Sequence, residues 1–134
     1  MKNSRIDSYY NPVYQYTLVV ANRYTKLEDL QNLYIYADGV ELDSNILDGL
    51  CTTSCCKRKE DGALVVLVKH NKDTDVTSLD KNLDLINTCS HEATHVALDI
   101  YEGIGQNICF CSPEPFCYLQ AWATECIYKT ITNK

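Results

Sequence analysis

The sequence predicts a single α+β domain in which a small, mainly antiparallel sheet packs on two C-terminal helices. The 134-residue chain has no repeat, low-complexity tract or linker that would divide residues 1–134. Its first half contains short β-branched and aromatic runs separated by turn residues, which are typical of strands. From Leu79 onwards the apolar residues recur at three- and four-residue spacing, which is typical of helices.

The first elements are a strand and a helix. Residues 13–21 are rich in β-branched and aromatic side chains and predict a strand. Thr25 is expected to cap a helix that runs to Tyr34. A short helix is expected to follow Asp43 or Ser44.

A hairpin is predicted next, from residues 51–58 and 63–70 around the turn Glu60-Asp61-Gly62. Its second strand, ALVVLVKH, is a continuous apolar run. Such a run is expected to be buried on both faces, in the middle of the sheet or under helices. His70, at the end of this strand, is expected to lie at the surface.

Two helices complete the chain. The first is predicted from Thr77 to the glycines at 103 and 105, and the second from Ser112-Pro113 to about Thr130. The apolar stripe of the first helix is predicted to comprise Leu79, Leu83, Ile86, Ala93, Ala97, Ile100 and Ile104.

The chain is acidic, with 12 Lys and Arg residues against 18 Asp and Glu residues, a formal net charge of -6. A phosphate backbone would be repelled by most of such a surface, so no nucleic-acid partner is expected. We see no secretory signal at the N-terminus, and the longest apolar run, residues 63–68, is too short to span a membrane. A soluble cytoplasmic protein is expected, and its oligomeric state is left open.

Eight cysteines allow two interpretations. In a cytoplasmic chain they are buried thiols or metal ligands, whereas in an exported chain they would form a disulfide framework. The chain has no CxxC pair, and Cys89, Cys117 and Cys126 fall on predicted helices, where a small apolar side chain packs well. The first interpretation is therefore favoured.

The long helix contains the motif His91-Glu92-Ala93-Thr94-His95. Residues four apart on a helix lie about 40° apart around the axis and about 6 Å along it, so His91 and His95 can bind one ion. Zn²⁺ accepts neutral imidazole nitrogens. Glu92 is rotated off the line of the two ligands, where it can take a proton from a metal-bound water. A pair of surface or core histidines with no ligand is the alternative.

A catalytic zinc site needs a third protein ligand. Glu114 follows His95 after 18 residues, and HExxH-x18-E resembles the pattern of the gluzincins, zinc peptidases of the thermolysin and M1-aminopeptidase kind. The resemblance covers roughly residues 64–129. It implies a zincin-like pair of helices, with His91, His95 and Glu114 as zinc ligands and Glu92 as the general base. Glu125 competes with Glu114, but it lies eleven residues further along the helix.

The chain departs from the family at two positions. Thermolysin-like members have an aspartate four residues after the third ligand, and here that position is Tyr118. Asp99, four residues after His95, is a candidate substitute that would orient a ligand. Tyr118 is the candidate to stabilise the oxyanion, since no histidine remains for that role, although ordinary packing also explains it.

The expected function is therefore that of a zinc metallopeptidase acting on a peptide or protein substrate, which the 63–70 strand would bind by strand addition if its edge is open. The alternative is a non-catalytic accessory or interaction protein in which zinc fixes the fold, with Cys109 or Cys111 as a fourth ligand. The pattern SHEATH…EPFxYL…W…C is similar to that of short proteins of tailed phages of gut Bacteroidales. For a phage product the compartment would be the host cytoplasm.

Overall fold

The computed structural model describes residues 3–72 and 76–132. In chain order the strands and helices are β1 (Ile6–Asn11), β2 (Tyr16–Ala21), α1 (Leu27–Leu33), β3 (Tyr34–Tyr36), β4 (Cys51–Arg58), β5 (Leu64–His70), α2 (Leu79–Gly103) and α3 (Glu114–Thr132). A 3-10 helix at Ser44–Leu47 lies between β3 and β4, with the Asp43 side chain as its cap. The predicted α+β class is confirmed.

The five strands form one sheet in the order β1-β2-β5-β4-β3. Two antiparallel hairpins, β1 with β2 and β4 with β5, are joined side by side through the parallel pairing of β2 and β5. β5 is thus the central strand, and all of its residues except Leu64 are buried, as its apolar run predicts. β3 pairs with the last three residues of β4, Cys56 to Arg58, and Ile35 also forms an isolated bridge with Glu41.

Apolar side chains are buried on both faces of the sheet, because alternate residues of a strand point to opposite faces. Val66 and Val68 of β5 face α2 and α3 and belong to the larger core cluster. Val65 and Leu67 face Leu30 of α1 in a second cluster. The sheet is therefore the middle layer, with the long helices on one side and α1 on the other.

Helix α2 has the predicted length but a different start and a different buried face. Its cap is Ser78 and not Thr77. The Ser78 hydroxyl accepts a hydrogen bond from the Lys81 amide at 3.2 Å. Of the predicted stripe, Ala93, Ala97 and Ile100 are buried. The other four members are between 40% and 73% exposed: Leu79, Leu83, Ile86 and Ile104. The predicted stripe therefore combined residues of two neighbouring faces of the helix. The face that is buried also contains Leu85, Cys89, Val96 and Tyr101.

The first two elements also differ from expectation. Strand β1 was not predicted. Residues 12–15 form the turn between β1 and β2, with Gln15 at a φ of 53°, although a strand was expected to begin at Val13. Thr25 does not cap α1, because its hydroxyl donates to the Arg5 carbonyl at 3.0 Å and ties β1 to this loop. Lys26 holds the cap position without a side-chain hydrogen bond.

The eight cysteines are free thiols. Cys56, Cys89 and Cys126 are buried, whereas Cys117 is exposed on α3, so the expectation that it packs as a small apolar residue is wrong. Within the described ranges, no helix combines the length and apolar character needed to cross a membrane.

Candidate metal centre

The two motif histidines lie on the face of α2 that points away from the core. Both side chains are exposed, and their ring centroids are 5.0 Å apart at an angle of 72°. The core side of the same turns carries Ala93, Val96 and Ala97, all fully buried. Packing of that side fixes the rotation of the helix and leaves the imidazoles free to bind.

Glu92 joins the two histidines in a group of three potential metal ligands. The donor atoms of His91, Glu92 and His95, two imidazole nitrogens and a carboxylate oxygen, lie within 4.8 Å of one another. Two ligands of one Zn²⁺ ion, each about 2.0–2.2 Å from it, lie at most about 4.4 Å apart. The donor set therefore fits one zinc ion after small side-chain rotations.

The Glu92 side chain is buried although the histidines on either side of it are exposed. It is 5% exposed, and its Oε2 atom has no hydrogen-bond partner among the described residues. Burial raises the pKa of this carboxyl, against the opposite effects of the two imidazoles and the Thr53 hydroxyl. Such a carboxyl, beside potential metal ligands, is a candidate for the general base that the motif predicts.

Strand β4 lies across α2 and covers Glu92. Thr53 pairs with Val68, which faces α2, so the side chains of Cys51, Thr53 and Cys55 face α2 as well. Burial raises the pKa of the Cys51 thiol, and the charge of Glu92 raises it further. β4 and α2 therefore run in the same direction here. Cys51 lies near Glu92, and Cys55 lies near Asp99, two turns further along α2.

The outer edge of β4 is open near Glu92. The Cys55 carbonyl accepts a hydrogen bond from the Ala37 amide on the side of β3, and the Leu50 carbonyl accepts one from Asn71 on the side of β5. Backbone groups alternate between the two sides of an antiparallel strand, so those of Cys51 and Thr53 point outwards. Within residues 3–72 and 76–132, no strand pairs with them there.

The predicted strand-addition site is wrong in its position. β5 lies between β2 and β4, so both of its edges are already paired. The edge that remains available beside the motif is that of β4.

Asp99 lies beside His95, as its spacing predicts. Burial raises the pKa of the Asp99 carboxyl, whereas the nearby Cys55 thiol and the charge of His95 lower it. The carboxylate is thus held between strand and helix, in the neighbourhood of one of the two imidazoles. No hydrogen bond joins Asp99 to His95 among the described residues, so the orienting role of Asp99 stays a prediction.

A cavity of about 630 Å³ opens beside the group of potential ligands. Its lining comprises Leu50, Cys51, Asn87, Thr88, His91 and Glu92. Its volume is in the range of sites that hold a small molecule or an amino-acid side chain.

Glu114 is the first residue of α3, as predicted, and its side chain is exposed. It does not belong to the group formed by His91, Glu92 and His95. The start of α3 packs further along α2, where the rings of Phe116 and Tyr101 are 5.2 Å apart. Tyr101 follows His95 by six residues, or about 9 Å along the helix axis, and this displacement separates Glu114 from the imidazoles.

The other predicted site residues lie outside the group as well. Tyr118 is 71% exposed and does not line the cavity. Glu125 is exposed and forms an ion pair with Lys129 at 3.1 Å, as expected of a solvated residue. Cys109 and Cys111 are exposed in the loop between α2 and α3.

His70 is not the surface residue that the sequence predicted. It is 3% exposed, pairs across the strands with Cys51, and its Nδ1 atom has no hydrogen-bond partner among the described residues. Thr53 was missed altogether. Strand alternation would have placed 51, 53 and 55 on one face, but nothing in the sequence says that this face meets the motif helix.

Comparison of the chain with models of known families, with curated proteins and with solved structures finds no match. The gluzincin resemblance and the zincin-like arrangement of the helices therefore stay predictions. The chemistry open to His91, Glu92 and His95 must therefore be judged from the geometry of the group itself.

Proposed function

We propose that the protein is a zinc-dependent hydrolase that cleaves peptides, with Glu92 as its general base. The observation that carries this proposal is the close group of His91, Glu92 and His95, in which the carboxylate is buried and the imidazoles are exposed. A metal site that only stabilises a fold has no need of a buried carboxyl beside its ligands. The adjoining cavity supports the proposal, because it gives a substrate access to this carboxyl.

The residues of the group have separate roles in this proposal. His91 and His95 bind the ion through neutral imidazole nitrogens. A bound Zn²⁺ lowers the pKa of a coordinated water towards neutrality and polarises a carbonyl group. Glu92 accepts the proton of the attacking water and then donates it to the leaving amine, which its raised pKa favours.

Glu114 stays the predicted third ligand. Its exposed position at the start of α3, after a loop of exposed residues, leaves the side chain free of packing constraints. Binding would nevertheless require that the start of α3 move towards His95. The metal content of the Glu114→Ala variant tests whether Glu114 is a ligand. Loss of zinc would identify it as one, and retention of zinc would exclude that role.

The open edge of β4 supports a peptide as the substrate. The outward backbone groups of Cys51 and Thr53 can each donate and accept one hydrogen bond from an extended chain. Such a chain would lie over α2 close to Glu92, because the Thr53 side chain faces that carboxyl. A peptide bond could thereby be held at the base without a deep cleft.

A non-catalytic, zinc-stabilised interaction protein is the second candidate. Within the described residues, only two imidazoles and one carboxylate come together, and this favours it. In that case Glu92 is a third ligand, and the protein takes up zinc without hydrolysing peptides.

Glu92→Gln separates the two candidates. For the hydrolase, the variant should keep about one zinc per chain and lose at least about 100-fold in kcat on a peptide library, because general-base catalysis contributes about 10²–10⁴-fold. Metal content by mass spectrometry and cleavage by chromatography are the measurements, with His91→Ala as the variant that should lose the metal. Equal cleavage by wild type and Glu92→Gln, or cleavage by neither, would refute the hydrolase.

A further inference from the structure

Thr53 and Glu92 present two buried oxygen atoms that lack partners. Thr53 Oγ1 and Glu92 Oε2 are both inaccessible to solvent, and neither makes a hydrogen bond of good geometry with any described residue. They lie on facing elements, strand β4 and helix α2, and Thr53 shares the α2-facing side of β4 with Cys51, which lines the same cavity as Glu92. A buried hydroxyl and a buried carboxylate oxygen without partners are costly, so their proximity calls for a reason.

Glu92 lies where it could have either of two roles at a metal site. A carboxylate oxygen of Glu92 and a ring nitrogen of each imidazole all lie within 4.8 Å of one another. From this position it can bind a metal ion as a third ligand, or it can stand off and act as a base. A carboxylate that binds the metal no longer accepts a proton readily. If the site is catalytic, another group must therefore keep the Glu92 carboxylate from binding the metal.

We propose that the Thr53 hydroxyl is the positioning group that holds Glu92 off the metal, by donating a hydrogen bond to Oε2 whether or not the ion is bound. This inference rests on the proposed function, since it assumes a metal ion between His91 and His95. Thr53 is suited to the role because its side chain enters from the strand opposite α2. Its backbone also points to the open edge, so a peptide at that edge would fix the same residue that positions the base.

The neighbouring residues do not provide the same contact. Thr52, on the opposite face of β4, donates its hydroxyl to the Ile46 carbonyl at 2.7 Å. The thiol of Cys55 lies next to Asp99, two turns away from Glu92 along α2. Cys51 lies near Glu92, but burial keeps its thiol a weak and neutral group.

The first experiment replaces Thr53 in the metal-loaded protein. Thr53→Val removes the hydroxyl at nearly constant shape, Thr53→Ser keeps it, and Thr52→Val removes a hydroxyl from the other face of the strand. Co²⁺ is the probe, because its visible absorption changes with the number and kind of its ligands. We expect Thr53→Val alone to change the spectrum and to lower kcat about 10- to 100-fold, with little change in KM.

A second experiment tests the contact without any metal. Thermal unfolding of Thr53→Val, Glu92→Gln and the double variant, all metal-free, forms a double-mutant cycle. If the two side chains interact, the shift in Tm of the double variant departs from the sum of the two single shifts. Additive shifts would overturn the inference whatever the metal does.

The outcomes distinguish this inference from the proposed function. A wild type that binds Co²⁺ and cleaves peptides, with an unchanged spectrum in Thr53→Val, overturns the inference and leaves the hydrolase standing. A wild type that binds no Co²⁺ removes the hydrolase and the positioning role together. A changed spectrum in Thr53→Val that Thr53→Ser restores supports the inference.

Discussion

His70 is a neutral imidazole inside the protein, at the end of the central strand. Burial, together with the charges of Lys69 and Arg23, lowers its pKa to about 4. The imidazole is therefore uncharged at neutral pH, and its 3% exposure makes protonation in the folded state costly. Protonation of His70 at acidic pH should therefore lower the free energy of unfolding.

The pH dependence of stability follows from that shift. Because the pKa is about 4 in the folded protein and 6.5 in the unfolded chain, the unfolded chain binds more protons between these values. The free energy of unfolding should fall by up to about 3 kcal/mol as the pH drops from 6.5 to 4. Urea denaturation of the wild type and His70→Gln across this range measures it.

The difference between the two proteins isolates His70. Glu92 and Asp99, whose raised pKa values act in the opposite direction, are present in both proteins and cancel. Parallel curves for the wild type and His70→Gln would contradict the assignment.

Single residues also mark the limit of what the sequence can predict about the site. His91, Glu92 and His95 are identifiable because helical geometry alone brings them together. Thr53 and His70 are not, because their surroundings depend on which strand crosses which helix. Glu114 illustrates the same limit: its place at the start of α3 was predictable, but its distance from the imidazoles was not.

The elements that the sequence predicted best are those with a strong periodic or continuous apolar pattern. β5 is a run of buried aliphatic residues, and the β4–β5 hairpin has an Asp-Gly turn. β1, with the sequence IDSYYN, has no such pattern, because it is an edge strand in which Ser8 and Tyr10 are exposed. Its place in the sheet is set by pairing with β2 and not by its own apolar residues.

The last turn of α2 makes a close contact with β2 that depends on a glycine. A Cβ atom on Gly103 would lie 2.9 Å from the hydroxyl oxygen of Tyr16 and 3.1 Å from its ring carbon Cε2. The Tyr16 ring is 8% exposed, so it has little room to move. The contact therefore sets how closely the end of the helix approaches the sheet.

Gly103→Ala should for this reason destabilise the protein. In an exposed helix the change would stabilise by up to about 1 kcal/mol, but overpacking costs about 1–3 kcal/mol. We expect a net loss of about 1 kcal/mol in the free energy of unfolding, measured by urea denaturation. The loss should be smaller in a Tyr16→Phe background, which removes the nearest atom. Equal losses in both backgrounds would show that the steric explanation is wrong.

At the scale of the whole molecule, the larger core cluster joins the sheet to both long helices. Ile100, fully buried on α2, belongs to this cluster. Leu98, two residues earlier on the same helix, is 42% exposed. The two side chains have the same size and very different surroundings.

Ile100→Ala should lower the free energy of unfolding by about 2–5 kcal/mol, because it leaves a cavity in the core. Leu98→Ala should change it by about 0.5 kcal/mol or less. Chemical denaturation of both variants measures the difference. Comparable losses would mean that α2 does not pack on the sheet through the face described above.

The topology of the sheet has a consequence for how the chain assembles. Each hairpin brings together neighbours in the sequence, so both can form early and independently. The parallel contact between β2 and β5 closes a long loop that contains α1, β3 and β4, and such closure is slow. During synthesis on the ribosome, the β2 edge of the first hairpin should therefore stay unpaired until the second hairpin emerges and docks beside it.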